Sequence, residues 1–137
     1  MFDLIATQTK GRNTKMKILV TGARDWEDRA VVEREIKKLA PWAIVVHGGC
    51  PTGADAFADE AARARGLVVK VYKADWEAEG KSAGPKRNSK MIREEHRKGD
   101  PVALCLAFTK DLDRSRGTKD CVLKARKAGI PVQLVEV

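Results

Sequence analysis

Short runs of consecutive apolar residues, each stopped by glycine or by a polar turn, constrain this chain more than any other feature. Ile18-Leu19-Val20-Thr21 stops at Gly22, Ala43-Ile44-Val45-Val46 leads to Gly48-Gly49, and stretches 67–72, 102–108 and 130–135 repeat the pattern. Runs of this length, apolar at successive rather than alternate positions, read as strands covered on both faces. Amphipathic segments lie between them. Residues 28–40 place Val32, Ile36, Leu39 and Ala40 at helical spacing before Pro41, and 53–65 put Ala54, Phe57, Ala58, Ala61 and Ala62 on one face, with Gly66 as the cap. Pro85 opens a third helix whose inner face carries Met91 and Ile92 and which ends near Gly99. Cys121, Val122, Ala125 and Ala128 mark a fourth, closed by Gly129. Strands alternating with helices predict a three-layer α/β/α Rossmann-like domain around a five-stranded parallel sheet of order 3-2-1-4-5. That domain is expected over residues 16–137. Residues 1–15 lack periodicity and read as a flexible N-terminal arm.

Composition narrows the class of partner. The 137 residues hold 27 Lys+Arg against 19 Asp+Glu, a net charge of +8 whose summed field favours anionic and phosphorylated partners. No apolar run approaches the roughly 20 residues of a membrane span, and the N-terminus lacks the apolar segment of a secretory signal. No membrane partner and a cytoplasmic, reducing setting are expected. Cys50, Cys105 and Cys121 with His47 and His96 have neither disulfide-framework nor zinc spacing, so no metal and no cofactor is expected.

In a doubly wound sheet, ligands bind beyond the carboxyl ends of the strands, and the unusual residues collect there. Thr21-Gly22-Ala23-Arg24-Asp25-Trp26 follows the first strand, His47-Gly48-Gly49-Cys50-Pro51-Thr52-Gly53-Ala54-Asp55 the second, and Ser115-Arg116-Gly117-Thr118 the fourth. The glycine-rich loop is the strongest signal: Gly48 and Gly49 permit close backbone approach, and Gly53 opens a helix whose free N–H groups attract anions. Gly48 and Gly53 have Walker spacing, but Ala54 stands where that motif needs lysine. A purely structural reading also fits, with Thr52 and Asp55 as a capping box. Ser115, Gly117 and Thr118 offer either a second anion site or an ordinary helix cap. Arg24 could pair a phosphate, or form a surface ion pair with Asp25 or Asp28. Lys81–Asn88 brings Lys86, Arg87 and Asn88 to another helix start, within the long irregular stretch 74–84. Trp26 and Trp76 are candidate stacking platforms for a base or, equally, half-buried packing residues, and Trp42 is expected to pack. Asp55 and Asp59 lie one turn apart and could hold ribose hydroxyls or act as acid and base, while for Asp59 complementarity to the helix dipole is the simpler role. Cys50 and His47 match a nucleophile pair in residue type alone.

The segments ILVTGARDW, VVHGGCPTGADAFADEAAR, AGPKRN and SRGTKD together resemble the YspA-like branch of the SLOG superfamily, which is related to the LOG-type lysine decarboxylase-like proteins and to DprA. The resemblance covers about residues 17–135. It implies a Rossmann-like fold binding a nucleotide or nucleotide-derived ligand at the strand ends, as a sensor or sequestering protein. Gly22, Arg24, Gly48, Gly49, Gly53, Asp55, Arg87, Asn88, Gly117 and Thr118 would line the pocket, and Thr52 and Ser115 join them from the loop reading. Relatives that cleave the N-glycosidic bond of nucleoside monophosphates carry PGGxGTxxE with a catalytic glutamate. This chain has HGGCPTGAD and no glutamate there, so the hydrolase alternative rests on Asp55 as the catalytic residue. Single-stranded DNA binding is a further alternative that the resemblance leaves open, and homo-oligomerisation is another.

Overall fold

The computed structural model describes residues 16–136, so the expected arm over 1–15 lies outside the described residues. The elements in chain order are β1 (Met16–Gly22), α1 (Arg29–Lys37), β2 (Ala43–His47), α2 (Gly53–Ala64), β3 (Val68–Val71), the short α3 (Trp76–Glu79), α4 (Ala83–Glu95), β4 (Val102–Phe108), α5 (Arg116–Lys127) and β5 (Val132–Val135). Single 3-10 turns sit at Gly80–Ser82 and Leu112–Arg114. All strand pairs are parallel and their order is β3-β2-β1-β4-β5. Helices α1 and α2 pack together on one face and α4 and α5 on the other.

Successive residues of the apolar runs feed opposite layers, which is why those runs do not alternate with polar residues. Ile18, Val20, Val45, Leu104, Leu106 and Phe108 meet Val32, Ile36 and the α2 alanines Ala54, Ala58 and Ala62. Leu19, Ile44, Val46 and Cys105 meet Met91, Ile92, Cys121 and Ala125. Small residues let α2 lie close to β1: a Cβ on Gly22 would stand 2.8 Å from the Phe108 carbonyl oxygen and closer still to the Ala54 methyl. Such crowding admits glycine and nothing larger.

Three local expectations are corrected. Strand β3 is at the sheet edge and mostly exposed, with Val68 at 58%, because it has a neighbour on one side only. The stretch 74–84 is partly helical, since the Asp75 carboxylate accepts from the Ala78 N–H at 3.1 Å and starts α3. Helix α4 stops at Glu95, ahead of Gly99, which serves a turn where Arg97 and Asp100 pair.

Candidate functional site

Sheet order reverses between β1 and β4, and a cavity of about 820 Å³ opens over the carboxyl ends of these two strands. The Ala23 N–H donates to the Phe108 carbonyl at 2.9 Å and so ties together the two loops that leave these strands. The β1–α1 loop contributes Thr21 to Trp26, the β4–α5 segment contributes Thr109 to Asp111 and Arg114 to Thr118, and Cys50, Asp55 and Arg87 complete the lining.

Asp55, in the first turn of α2, is the most unusual group. It is 6% exposed, yet it lines the cavity. Its Oδ2 accepts a long 3.5 Å bond from the Cys50 N–H, while its buried Oδ1 has no partner among the described residues. Burial pushes this carboxyl above the ordinary aspartate range, and the opposing influence of His47, of the Cys50 and Gly48 N–H groups and of Arg87 does not cancel it. A buried carboxyl in a cavity wall with one unpartnered oxygen is suited to accept a bond from a ligand hydroxyl or N–H.

Behind Asp55, His47 is fixed at both nitrogens. Its Nδ1 accepts from the Gly49 N–H at 2.9 Å, so the proton sits on Nε2 and is donated to Asp59 at 2.7 Å. Asp59 also receives Arg63 at 2.7 Å. Burial raises the Asp59 carboxyl, but the bonds from Arg63 and His47 outweigh it and hold the group below its usual range. Asp59 therefore orients His47, a role beyond dipole complementarity. With both His47 nitrogens engaged elsewhere and the Cys50 sulfur in contact with the Thr52 hydroxyl at 3.9 Å, no Cys50–His47 dyad forms.

The two glycine-bearing helix starts differ. At α2 the Ala54 N–H is taken by the Ala23 carbonyl at 3.3 Å, and a Cβ on Gly53 (φ 71°) would lie 2.6 Å from the Arg24 carbonyl carbon. The expected capping box is not made: the Thr52 hydroxyl donates to the Arg24 carbonyl at 2.8 Å. At α5 the Ser115 hydroxyl is bonded to Thr109 at 2.8 Å and does not cap the helix. The Arg116, Gly117 and Thr118 N–H groups thus have no acceptor among the described residues. A Cβ on Gly117 would meet nothing within 4 Å.

The structure brings Gly22, Arg24, Asp55, Arg87, Ser115, Gly117 and Thr118 to one cavity. Gly48, Gly49, Thr52, Gly53 and Asn88 stand outside its lining. The Arg87 guanidinium covers Gly48, donating to the Gly48 carbonyl, to the Tyr72 carbonyl at 3.2 Å and to Asn88 at 2.8 Å. Asn88 is buried and gives its amide to the Gly117 carbonyl at 3.3 Å and to Asp120 at 3.1 Å, bridging α4 to α5. Arg24 is exposed and makes no ion pair with Asp25 or Asp28; its guanidinium lies 5.9 Å from the centre of the half-exposed Trp76 ring. Trp26 is not an open platform: it is buried edge-on against Phe108, 5.8 Å between ring centres, with its indole N–H bonded to the Asp28 carbonyl at 2.9 Å. Lys110 and Arg116 are cavity residues that the sequence analysis did not single out. Their position in the segment that links the switch-point strand to the next helix was the available signal.

Comparison with known proteins adds a family. The family described as "YspA, cpYpsA-related SLOG family" matches residues 16–78. The chain is also similar to "Gene 61 protein" of Mycobacterium phage D29, 42% identical over 125 residues, spanning 85% of this chain and 93% of that one. No solved structure matches the chain.

Proposed function

The chain belongs to the YspA, cpYpsA-related SLOG family, and from that premise we propose that it binds a nucleotide or nucleotide-derived ligand in the switch-point cavity, as a sensor or sequestering protein. The observation that carries this reading is that Asp55, with one unpartnered oxygen, lines the same cavity as the uncapped α5 N-terminus. A phosphate belongs at the Arg116–Thr118 amides, where the helix dipole adds to hydrogen bonding. Arg24, Lys110 and Arg116 line the cavity without an ion-pair partner among the described residues and supply counter-charge. Asp55 Oδ1 accepts a ribose hydroxyl, and a base leaving the cavity past Arg24 meets Trp76. A cytoplasmic location, where nucleotides are abundant, accords with this role.

Thermal-shift screening with mononucleotides, cyclic nucleotides and ADP-ribose derivatives tests the proposal. A ligand present at 100 times its Kd adds about 2.7 kcal/mol of stability. Asp55→Asn and Arg24→Ala should each weaken a hit at least about tenfold, the worth of one good polar contact. No stabilisation by any of these at millimolar concentration overturns it.

A second reading, hydrolysis of the N-glycosidic bond of a nucleoside monophosphate, is favoured by the presence of the Asp55 carboxyl in the wall of the cavity. Asp55 would support the developing positive charge on the ribose while water attacks. Release of free base from AMP, abolished in Asp55→Asn, supports it; intact AMP after long incubation at high protein concentration removes it.

A further inference from the structure

Gly48 and Gly49 stand outside the cavity lining, yet the turn they form is held by side chains on every side. The Gly49 N–H donates to His47 Nδ1 at 2.9 Å, and the Gly48 carbonyl accepts from the Arg87 guanidinium. These are the two polar atoms of one peptide unit. Glycine has the freest backbone, so a Gly–Gly peptide is the one that would turn most readily if it were not held. The next amide, that of Cys50, reaches Asp55 Oδ2 at 3.5 Å, and the Gly48 N–H acts on the same carboxyl. Gly49 itself adopts φ 74°, and a Cβ there would stand 2.8 Å from Val71 Cγ1, so the turn admits glycine alone. The His47 ring is fixed in turn. It is 3% exposed, its Nε2–H donates to Asp59 at 2.7 Å, and Asp59 also takes Arg63 at 2.7 Å. Asp55 and Asp59 stand four residues apart on one face of α2. That face therefore carries both the carboxyl that receives the turn's amides and the carboxylate that fixes the ring behind them.

Stability does not account for this bracing. Asp55 is buried with one oxygen unpartnered among the described residues, which is a net cost to the fold. A turn braced from both sides around a costly carboxyl is explained by what the carboxyl does for a ligand. Supporting groups that lock the direct contacts of a site are what keep those contacts in productive geometry. We propose that His47, oriented by Asp59, is a positioning residue of the nucleotide site: by holding the Gly48–Gly49 peptide it sets the Cys50 amide against Asp55 and so fixes the carboxyl that the ligand meets. The binding consequence rests on the nucleotide reading above, whereas the linkage from His47 to Asp55 is a property of the chain alone.

Two substitutions separate the bonds of His47. His47→Gln keeps a donor near the Nε2 position for Asp59 and takes the acceptor from Gly49, while His47→Asn puts an amide oxygen near the Nδ1 position and restores that acceptor. Two-dimensional amide NMR of the full chain reads the linkage without any ligand. Asp55→Asn should move the Cys50 amide signal in the parent and in His47→Asn, and leave it unmoved in His47→Gln, where the turn no longer holds that amide against residue 55. Affinity is then read with whichever of AMP, GMP, CMP and UMP gives the largest thermal shift. His47→Gln should weaken binding about tenfold, the worth of the polar contact misplaced at Asp55, and His47→Asn should recover most of it. In the Asp55→Asn background, His47→Gln should cost less than about twofold further, because groups that act through one another are not additive. A merely structural His47 would lower stability and leave the two losses independent. Losses that multiply, or a Cys50 signal that answers Asp55→Asn equally in both His47 variants, overturn the proposal. Asp59→Ala, which releases the ring from its far side, repeats both measurements should His47→Gln fold poorly. Absence of binding by all four nucleotides removes the nucleotide reading, and the amide signals then decide the linkage by themselves.

Discussion

The two glycine-bearing helix starts on the sheet rim look alike in sequence and are opposite in structure. At α2 the chain fills part of its own cradle: the Ala23 carbonyl takes the Ala54 amide, the backbone of residues 23 and 24 occupies the space beside Gly53, and Arg87 covers Gly48. At α5 the amides of residues 116–118 are unclaimed and the space beside Gly117 is empty. A glycine reports that something approaches closely or that φ is positive. It does not say whether the approaching group is a ligand or the protein's own backbone. The loop with more glycines is therefore the internally packed one, and the barer loop is open to a ligand.

The sharpest way to break this comparison is to give each start a methyl group. Gly53→Ala must place a Cβ against the 23–24 backbone at φ 71°, so we expect a loss of about 3 kcal/mol or more in urea denaturation, from strain and overpacking together. Next in size is Arg87→Ala, which strips donors from the Gly48 and Tyr72 carbonyls and from Asn88. A loss of about 2 kcal/mol should follow, because half-buried acceptors are left unmet.

Asp55→Asn should move stability the other way. Burial holds this carboxyl above its unfolded value, so the folded chain keeps the proton more tightly than the unfolded one. Stability from this group is therefore full below the ordinary aspartate pKa and lost as pH rises through the raised one. The variant, free of that loss, should exceed the parent by about 1 kcal/mol at neutral pH, the order of an unmet buried polar atom, and match it near about pH 3, below the usual aspartate range. Chemical denaturation at both pH values checks this, and equal stability at neutral pH contradicts it. Greater stability with weaker nucleotide binding would mark Asp55 as a residue kept for function. Smallest in stability is Gly117→Ala, expected within about 0.5 kcal/mol of the parent because the new methyl meets open space. Its nucleotide affinity should nonetheless fall, and a large stability loss there would erase the contrast between the two starts.

Much of this was legible in the residues. The apolar runs of 18–20, 43–46 and 102–108 specify strands buried on both faces, and the alanine stripe of α2 specifies a helix laid close upon them. Strand order followed, because short right-handed crossovers leave few alternatives. The edge exposure of Val68 was not legible, since an apolar residue reads the same whether or not a neighbouring strand or helix covers it. Within the site, Arg24, Asp55, Gly117 and Thr118 were found by their place after strands. Lys110 was not singled out, and the choice between platform and packing for Trp26 stayed open, because burial is set by distant contacts such as Phe108.

By itself, then, the order of residue types determined the sheet, its layers and the rim where a ligand can sit, because hydrophobic periodicity and glycine placement act over a few neighbouring residues. Which amides remain free, which carboxylate oxygen is left vacant and which cations lack a partner were decided only when β1, α2, α4 and α5 came together. Those properties depend on groups 30 or more residues apart, such as Asn88 and Asp120, and no local pattern encodes which of them will consume the other's hydrogen bonds.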